Sequence, residues 1–488
     1  LSSQFWFWRL SPAPLRLQKK NGLKRKITLK NNLNNNELKR EIGLFSITVL
    51  VIANMVGTGI FTTSGFIIQE LGNPQAMLIC WLVGGVFALC GALCYGELGA
   101  MFPKAGGEYV FLRESFGKCM GFLSGWISLI VGFSAPIAAA AIAFATYFYR
   151  TFSVPDGPEL TVAFLGVTIV SLSSKGLLAI TIIIVFSMIH YHSLLMGTRV
   201  QNALTLFKIG LIVAFIVMGL CWGNGSTGHF SCNLDMRTLF QGKFAVSLIF
   251  VSFAYSGWNA AAYLGGEIKR PSTNIPLSLF TGTFLVLCLY LLLNIVYVYA
   301  LPANEMSGVL EVGAKSAVFL FGGHLSRYFS GAITIALLSV LSAMIMTGPR
   351  VYYAMAKDGV FFELFGKVNG LRRTPAYSIF LQAGIAILMV ITASFDKLLI
   401  YIGFTLSLCA MLTVVGMIVL RKTQPSLDRS YKTFGYPVTP LLFILGNLWI
   451  IYFSIKNKPI TSLFGMGTIG LGLLVYLYFS KPRKNHEI

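Results

Sequence analysis

Of the 488 residues, 56% are hydrophobic and only 11% charged, and the mean hydropathy is +0.74. Soluble domains carry about 25% charged residues, so this chain cannot cover a water-facing surface; lipid removes that demand, at roughly 20 apolar residues per crossing helix. The net charge of +21 does not point to nucleic acid, because the basic residues alternate with apolar runs and form no continuous face, as in the cytoplasmic loops of a membrane protein.

Residues 1–36 differ from the rest. Lys19, Lys20, Lys24, Arg25, Lys26 and Lys30 lead into the Asn-rich stretch Asn31–Asn36, and the chain starts with Leu. This segment reads as a disordered basic tail or an artefactual extension, with a membrane-surface anchor as the alternative. A single membrane domain is expected over 37–480, followed by a short cytoplasmic tail at 481–488.

Apolar runs fall at about 43–69, 75–102, 119–149, 177–196, 200–222, 243–268, 275–300, 329–357, 375–394, 397–421, 438–455 and 461–480. They predict twelve spans: 1–5 within 43–222, 6–10 within 243–421, and 11–12 within 438–480. A further run, Leu160–Leu172, is too short to cross unaided. With twelve spans and both termini cytoplasmic, most Lys and Arg lie inside, as the positive-inside rule requires; a thirteenth would reverse the later loops.

Two spans are interrupted by small residues. The first reads Asn54-Met55-Val56-Gly57-Thr58-Gly59-Ile60-Phe61, the sixth Phe253-Ala254-Tyr255-Ser256-Gly257-Trp258-Asn259. Glycine lowers the cost of leaving helical dihedrals. Irregular backbone at membrane depth is tolerated where it is buried or lines a cavity. Taken singly, such glycines are more often close-packing positions. Paired breaks at the first span of each half point instead to a transporter's binding site.

Four stretches then carry a resemblance. They are Gly57-Thr58-Gly59-Ile60-Phe61; Tyr95-Gly96-Glu97-Leu98 with Pro103-Lys104-Ala105-Gly106-Gly107-Glu108-Tyr109; the sixth-span break with Glu267-Ile268-Lys269 and Pro271; and Arg350–Gly359. In this order the chain resembles the amino acid–polyamine–organocation superfamily, nearest its L-type amino acid transporter branch, over about residues 37–480. The resemblance implies an all-α integral membrane fold: a LeuT-like 5+5 inverted repeat with discontinuous helices 1 and 6.

It also implies roles. The amides of Thr58 and Gly59 bind a substrate carboxylate, which suits the positive end of a half-helix. The carbonyls of Met55, Phe253 and Ser256 take an ammonium group, and Val56, Gly57, Ala254, Gly257 and Asn259 complete the substrate-binding set. Phe253 is an external gate, and Trp258 and Asn259 support the unwound segment. Glu97, Glu108, Glu267, Arg113 and Arg350 lie at cytoplasmic helix ends, with Glu97, Arg113, Glu267 and Arg350 expected as an inner gate whose pairing stays open. Lys208, an intramembrane charge, replaces a sodium ion, braces helix 1 against helix 5 and is the candidate coupling residue.

Ser256 stands where some carriers of cationic amino acids have an acid, and a buried unpaired cation is costly. A free neutral amino acid is therefore the expected substrate, with a cationic amino acid or polyamine carrier as the alternative and a sensor without transport as a minor one. Permease and exchanger both remain open, sodium-independent in either case, in the plasma (inner) membrane. The loop Arg150–Gly176 has no Cys, so a covalent heavy-chain partner is not expected.

An enzyme is not expected. Of the five His, His190 and His192 fall on different helix faces, and His229, His324 and His486 lie in loops or the tail. The eight Cys read as packing residues, with a Cys221–Cys232 bridge left open and no metal or cofactor implied. A channel is disfavoured too, because neither a filter segment nor a gating-charge array is present.

Overall fold

The computed structural model describes residues 38–155, 157, 160–164, 167–231, 234–309, 311–368, 374–392, 395–457 and 459–479. The two expected tails, and Cys232 with its proposed bridge, lie outside the described residues.

Span 1 is α1 (Leu44–Met55) and α2 (Thr58–Leu71), and span 2 is α3 (Pro74–Met101). A short helix, α4 (Glu108–Phe116), precedes span 3, which runs from α5 (Lys118–Ile127) through a π-helical stretch (Ser128–Ser134) into α6 (Ala135–Thr151). Spans 4 and 5 are α7 (Ser174–His192) and α8 (Leu194–Trp222). Span 6 is α9 (Gly242–Tyr255) and the single turn α10 (Ala260–Tyr263), and span 7 is α11 (Pro271–Ala300). Two short helices follow, α12 (Ala303–Met306) and α13 (Val312–Phe321), before α14 (Gly323–Thr347) and α15 (Pro349–Lys357) make span 8. Spans 9 to 12 are α16 (Ala376–Thr392), α17 (Phe395–Thr423), α18 (Val438–Asn457) and α19 (Pro459–Phe479). Each of the twelve apolar runs is thus a helix or a broken helix pair. Ten are long and apolar enough to cross a membrane as they stand; the other two are the broken span 6 and the 17-residue α16.

The run Leu160–Leu172 forms an antiparallel hairpin, β1 (Leu160–Phe164) with β2 (Val167–Leu172). Val162, Val167, Thr168, Ile169 and Val170 are β-branched, which suits strands. This run therefore adds no helix to the twelve apolar runs.

Helix boundaries follow local chemistry. Asn73 caps α3, its side chain accepting from the amides of Gln75 and Ala76 at 2.9 and 3.1 Å, with Pro74 in the first turn. Ser173 and Ser193 cap α7 and α8 the same way. Along α8, Gln201, Thr205, Lys208 and Ile212 recur on one buried face, while Leu206, Phe207, Val213 and Val217 are exposed. That inverts the pattern of a water-soluble helix, as a lipid-facing surface requires.

Packing follows a regular order. Span 2 lies along span 7, span 3 along span 8, span 4 along span 9, and α2 against α9. The two broken spans therefore meet in the interior.

Candidate functional site

The first break occupies two residues. Helix α1 ends at Met55, Val56 and the extended Gly57 (φ −124°, ψ −151°) leave the helix, and α2 begins at Thr58. The first amides of α2, those of Thr58 and Gly59, have no carbonyl one turn back, so donors and the positive end of the helix dipole point toward the break.

The second break is sharper. After Tyr255, Ser256 is extended (ψ 151°) and Gly257 takes φ +93°, a conformation that favours glycine. A Cβ on Gly257 would come within 2.8 Å of the Asn54 carbonyl oxygen, and one on Gly59 within 2.6 Å of Ala254 Cα. These glycines therefore serve close packing and helix interruption together: they let the two broken segments touch.

Two side chains tie the breaks down. Lys208 on α8 is buried and its ammonium donates to the carbonyls of Ala53, at 3.1 Å, and Val56. Span 5 thus grips span 1 through carbonyls at the end of α1. Tyr290 on α11 places its hydroxyl 2.7 Å from the Met55 carbonyl oxygen and 3.1 Å from that of Ala254. Sequence reasoning missed Tyr290; a hydroxyl in the middle of a 30-residue apolar helix was the available signal. The Met55 carbonyl, expected to face an ammonium group, already accepts from this tyrosine.

The expected binding residues do not all line one space. Phe253, Ser256, Gly257 and Asn259 open onto a cavity of about 100 Å³ whose walls include Asn54, which was not among them, Phe133 of the π-helical stretch, Ser407 of α17 and Asn447 of α18. Thr58 lines a second cavity of about 250 Å³ with Phe61, Thr62, Tyr147, Glu311 and Ile333. The two share no lining residue, and Val340 of α14 lies against Gly57. Phe253 is half-buried beside the first cavity, and its carbonyl accepts from the Ser256 amide at 3.0 Å. Trp258 is buried and meets Tyr95 edge to face at 4.7 Å, bracing the unwound segment.

The charges expected at the cytoplasmic helix ends sort into separate clusters. Arg350 grips Glu267 with a forked guanidinium, Nη2 3.0 Å from Oε1 and Nε 3.3 Å from Oε2. Burial raises the Glu267 carboxyl above its ordinary range, and Arg350 opposes that rise. Glu97 pairs instead with Arg421 at 2.8 and 2.5 Å, accepts from Thr433 and lies 3.6 Å from Arg429. Arg113 bonds Asp358 and Glu114. Of the four expected gate residues, only Glu267 and Arg350 pair with each other. Glu108 is not at an aqueous interface: it is buried, accepting from the Tyr95 hydroxyl at 2.6 Å and Asn259 Nδ2 at 2.7 Å.

Two broken helices that abut inside a bundle of crossing helices, one held by a buried ammonium, define a polytopic membrane carrier. The comparisons give that class its family. A family model described as "Amino acid permease" matches residues 42–479. The chain is 30% identical to the serine/threonine exchanger SteT of Bacillus subtilis, over 92% of this chain and 98% of that protein. It is 28% identical to the mouse large neutral amino acids transporter small subunit 2, over 90% and 81%, and 29% identical to the human b(0,+)-type amino acid transporter 1, over 91% and 88%. The chain belongs to the amino acid permease family of the amino acid–polyamine–organocation superfamily, a family of transporters and not of enzymes.

Proposed function

We propose that this chain moves neutral amino acids across the plasma membrane by alternating access, without sodium and by exchange. The observation that carries the reading is the Lys208 ammonium seated on the Ala53 and Val56 carbonyls. Carbonyls freed at a helix break are where transporters hold a coupling cation, and a tethered ammonium removes the need for one. Ser256 leaves the break without a carboxylate of its own. Relatives named for serine, threonine and large neutral amino acids support the substrate class, and SteT, named as an exchanger, supports the mode.

The site is assigned to Thr58, Gly59, Phe253, Ser256 and their neighbours, with Phe253 as outer gate and Glu267–Arg350 as inner gate. In this structure Thr58 and Ser256 face different cavities, so binding requires these cavities to join. Spans 1–5 and 6–10 act as inverted halves; the pairing of span 2 with 7, 3 with 8 and 4 with 9 supports that symmetry. Both termini face the cytoplasm, and the loop Arg150–Gly176 offers no Cys to a heavy chain.

A cationic substrate is the second reading, and Glu108 beside Asn259 is the observation that favours it. Its Oε1 is already engaged by two donors. One experiment separates the readings: proteoliposomes preloaded with serine, given labelled serine, alanine, leucine or arginine, in sodium and in choline. Neutral uptake stimulated by preloading and equal in both salts is expected. Uptake that needs sodium, or in which arginine exceeds every neutral amino acid, overturns the proposal.

A further inference from the structure

The segment Pro103–Tyr109 has no role in the neutral-substrate scheme above, yet it is built closely onto the inner half of span 6. Ala105 pairs with Leu264 as an antiparallel bridge, and the Gly106 amide donates to the Tyr263 carbonyl at 3.0 Å. Gly107 (φ +53°) lets this loop pass the Tyr263 ring, where a Cβ would come within 2.5 Å of Cδ1; a Cβ on Gly265 would meet the Lys104 carbonyl oxygen at 2.6 Å. Glu108 follows directly, and its side chain reaches into the cavity beneath the span 6 break.

The surroundings of Glu108 are polar but not cationic. Tyr95 faces it from α3, Asn259 and Tyr263 from span 6, and Cys409 from α17. On α4 itself Arg113 is bound to Asp358 and Glu114, and Tyr109 donates to Asp358 at 2.6 Å. Among the described residues Glu108 forms no ion pair, and it is the one acidic residue lining this cavity. Burial raises its carboxyl above the ordinary range, while hydrogen bonds from Tyr95, Asn259 and Tyr263 oppose the rise. A buried carboxyl without a cation is a group that can take up a proton.

We infer that Glu108 is a positioning residue for transport: ionised, it holds Asn259 and with it the inner half of span 6, and proton uptake on its carboxylate loosens that hold. The ionised form accepts charge-assisted bonds from Asn259 and Tyr95, which are about twice as strong as neutral ones. Protonation leaves the neutral kind, and the inner half swings more readily. The balance is one proton from the surrounding solution bound to one carboxylate oxygen, with no other bond made or broken. This goes beyond the substrate and coupling reading above, in which the span 5 ammonium is the candidate.

The test is exchange in proteoliposomes across a pH series, using whichever amino acid the wild type carries. Wild-type exchange is expected to rise several-fold as pH falls, and Glu108→Gln, a permanently neutral mimic, to run flat near the acid level. Tyr95→Phe removes a donor to the ionised form, so its pH limb moves to higher pH. A Glu108→Gln profile that parallels the wild type overturns the inference, as does a limb that vanishes only in Lys208→Ala. Should Glu108→Gln not be recovered from membranes, the Tyr95→Phe shift decides: an unmoved limb overturns it. A sodium requirement would defeat the proposed function and leave this test intact; loss of uptake at every pH in Glu108→Gln, as for a carboxylate that pairs with a cationic substrate, overturns the inference.

Discussion

Arg350 and Glu267 face each other, both buried, with Arg350 Nη2 3.0 Å from Glu267 Oε1. Glu267 also offers its backbone carbonyl to the amides of Glu41 and Ile42, each at 2.9 Å. One residue therefore joins the entry to span 1, the exit of span 6 and span 8. Removing one partner of a buried pair costs about 3–5 kcal/mol, because the other charge stays buried. Arg350→Met is expected to lose that much stability, and the double variant Arg350→Met/Glu267→Gln clearly less; thermal unfolding of the purified protein reads the cycle. Without Arg350 the Glu267 carboxyl rises further. A raised carboxyl destabilises the fold as pH climbs through its folded value, so the deficit of Arg350→Met should grow as pH is raised.

Lys208 supplies the next prediction. Hydrogen bonds from a charged group contribute about 1.5–3 kcal/mol each, and Lys208 makes two, to Ala53 and Val56. Lys208→Ala should lower uptake at least about tenfold, the equivalent of 1.4 kcal/mol, with the protein still in the membrane. Sodium should not restore it, because a methyl group leaves a gap without ligands from span 5. Uptake in Lys208→Ala equal to wild type would remove the bracing role.

The spans were legible because lipid solvent makes each crossing a long apolar run, and the breaks because Gly57, Gly59 and Gly257 interrupt two of those runs. The hairpin at 160–172 was legible only as a run too short to cross. Partnership was not legible. Tyr290 lies 235 residues from Met55, and Arg421 lies 324 from Glu97, so nothing local marks either pair. Glu97 lies near the end of α3 and Arg350 at the start of α15, yet Glu97 is taken by Arg421 of α17 and by the loop after it, and Arg350 by Glu267 in the loop after span 6. Helices α4 and α13 were missed because nine and ten residues are too few to register against crossing helices.

Gly257 and Gly59 should resist substitution where other glycines do not. Gly257→Ala combines a left-handed φ, worth about 1–2 kcal/mol against any Cβ, with a clash on the Asn54 carbonyl at 2.8 Å. Gly59→Ala clashes with Ala254. Each should abolish exchange or reduce it more than about tenfold. Gly210→Ala and Gly384→Ala meet nothing within 4 Å and should transport as wild type. Equal tolerance at all four positions, measured as uptake per protein inserted, would show that the broken segments do not need their close approach.

Tyr290→Phe keeps the ring, which packs edge to face on Trp81 at 5.4 Å and against Tyr255 at 4.9 Å, and removes only the hydroxyl. The Met55 and Ala254 carbonyls then lose a shared donor in a buried place, at a cost of about 1–3 kcal/mol. That cost falls on the conformation that holds the two breaks together. The variant should therefore fold and unfold at a lower temperature. A substrate ammonium can itself donate to the vacated Met55 carbonyl, so part of the lost stability should return on adding a transported amino acid. The comparison is the thermal shift that saturating substrate produces in the variant and in the wild type. A larger shift in Tyr290→Phe is expected. Equal shifts would mean that substrate does not reach the Met55 carbonyl, which would move the ammonium end of the site wholly onto the span 6 break.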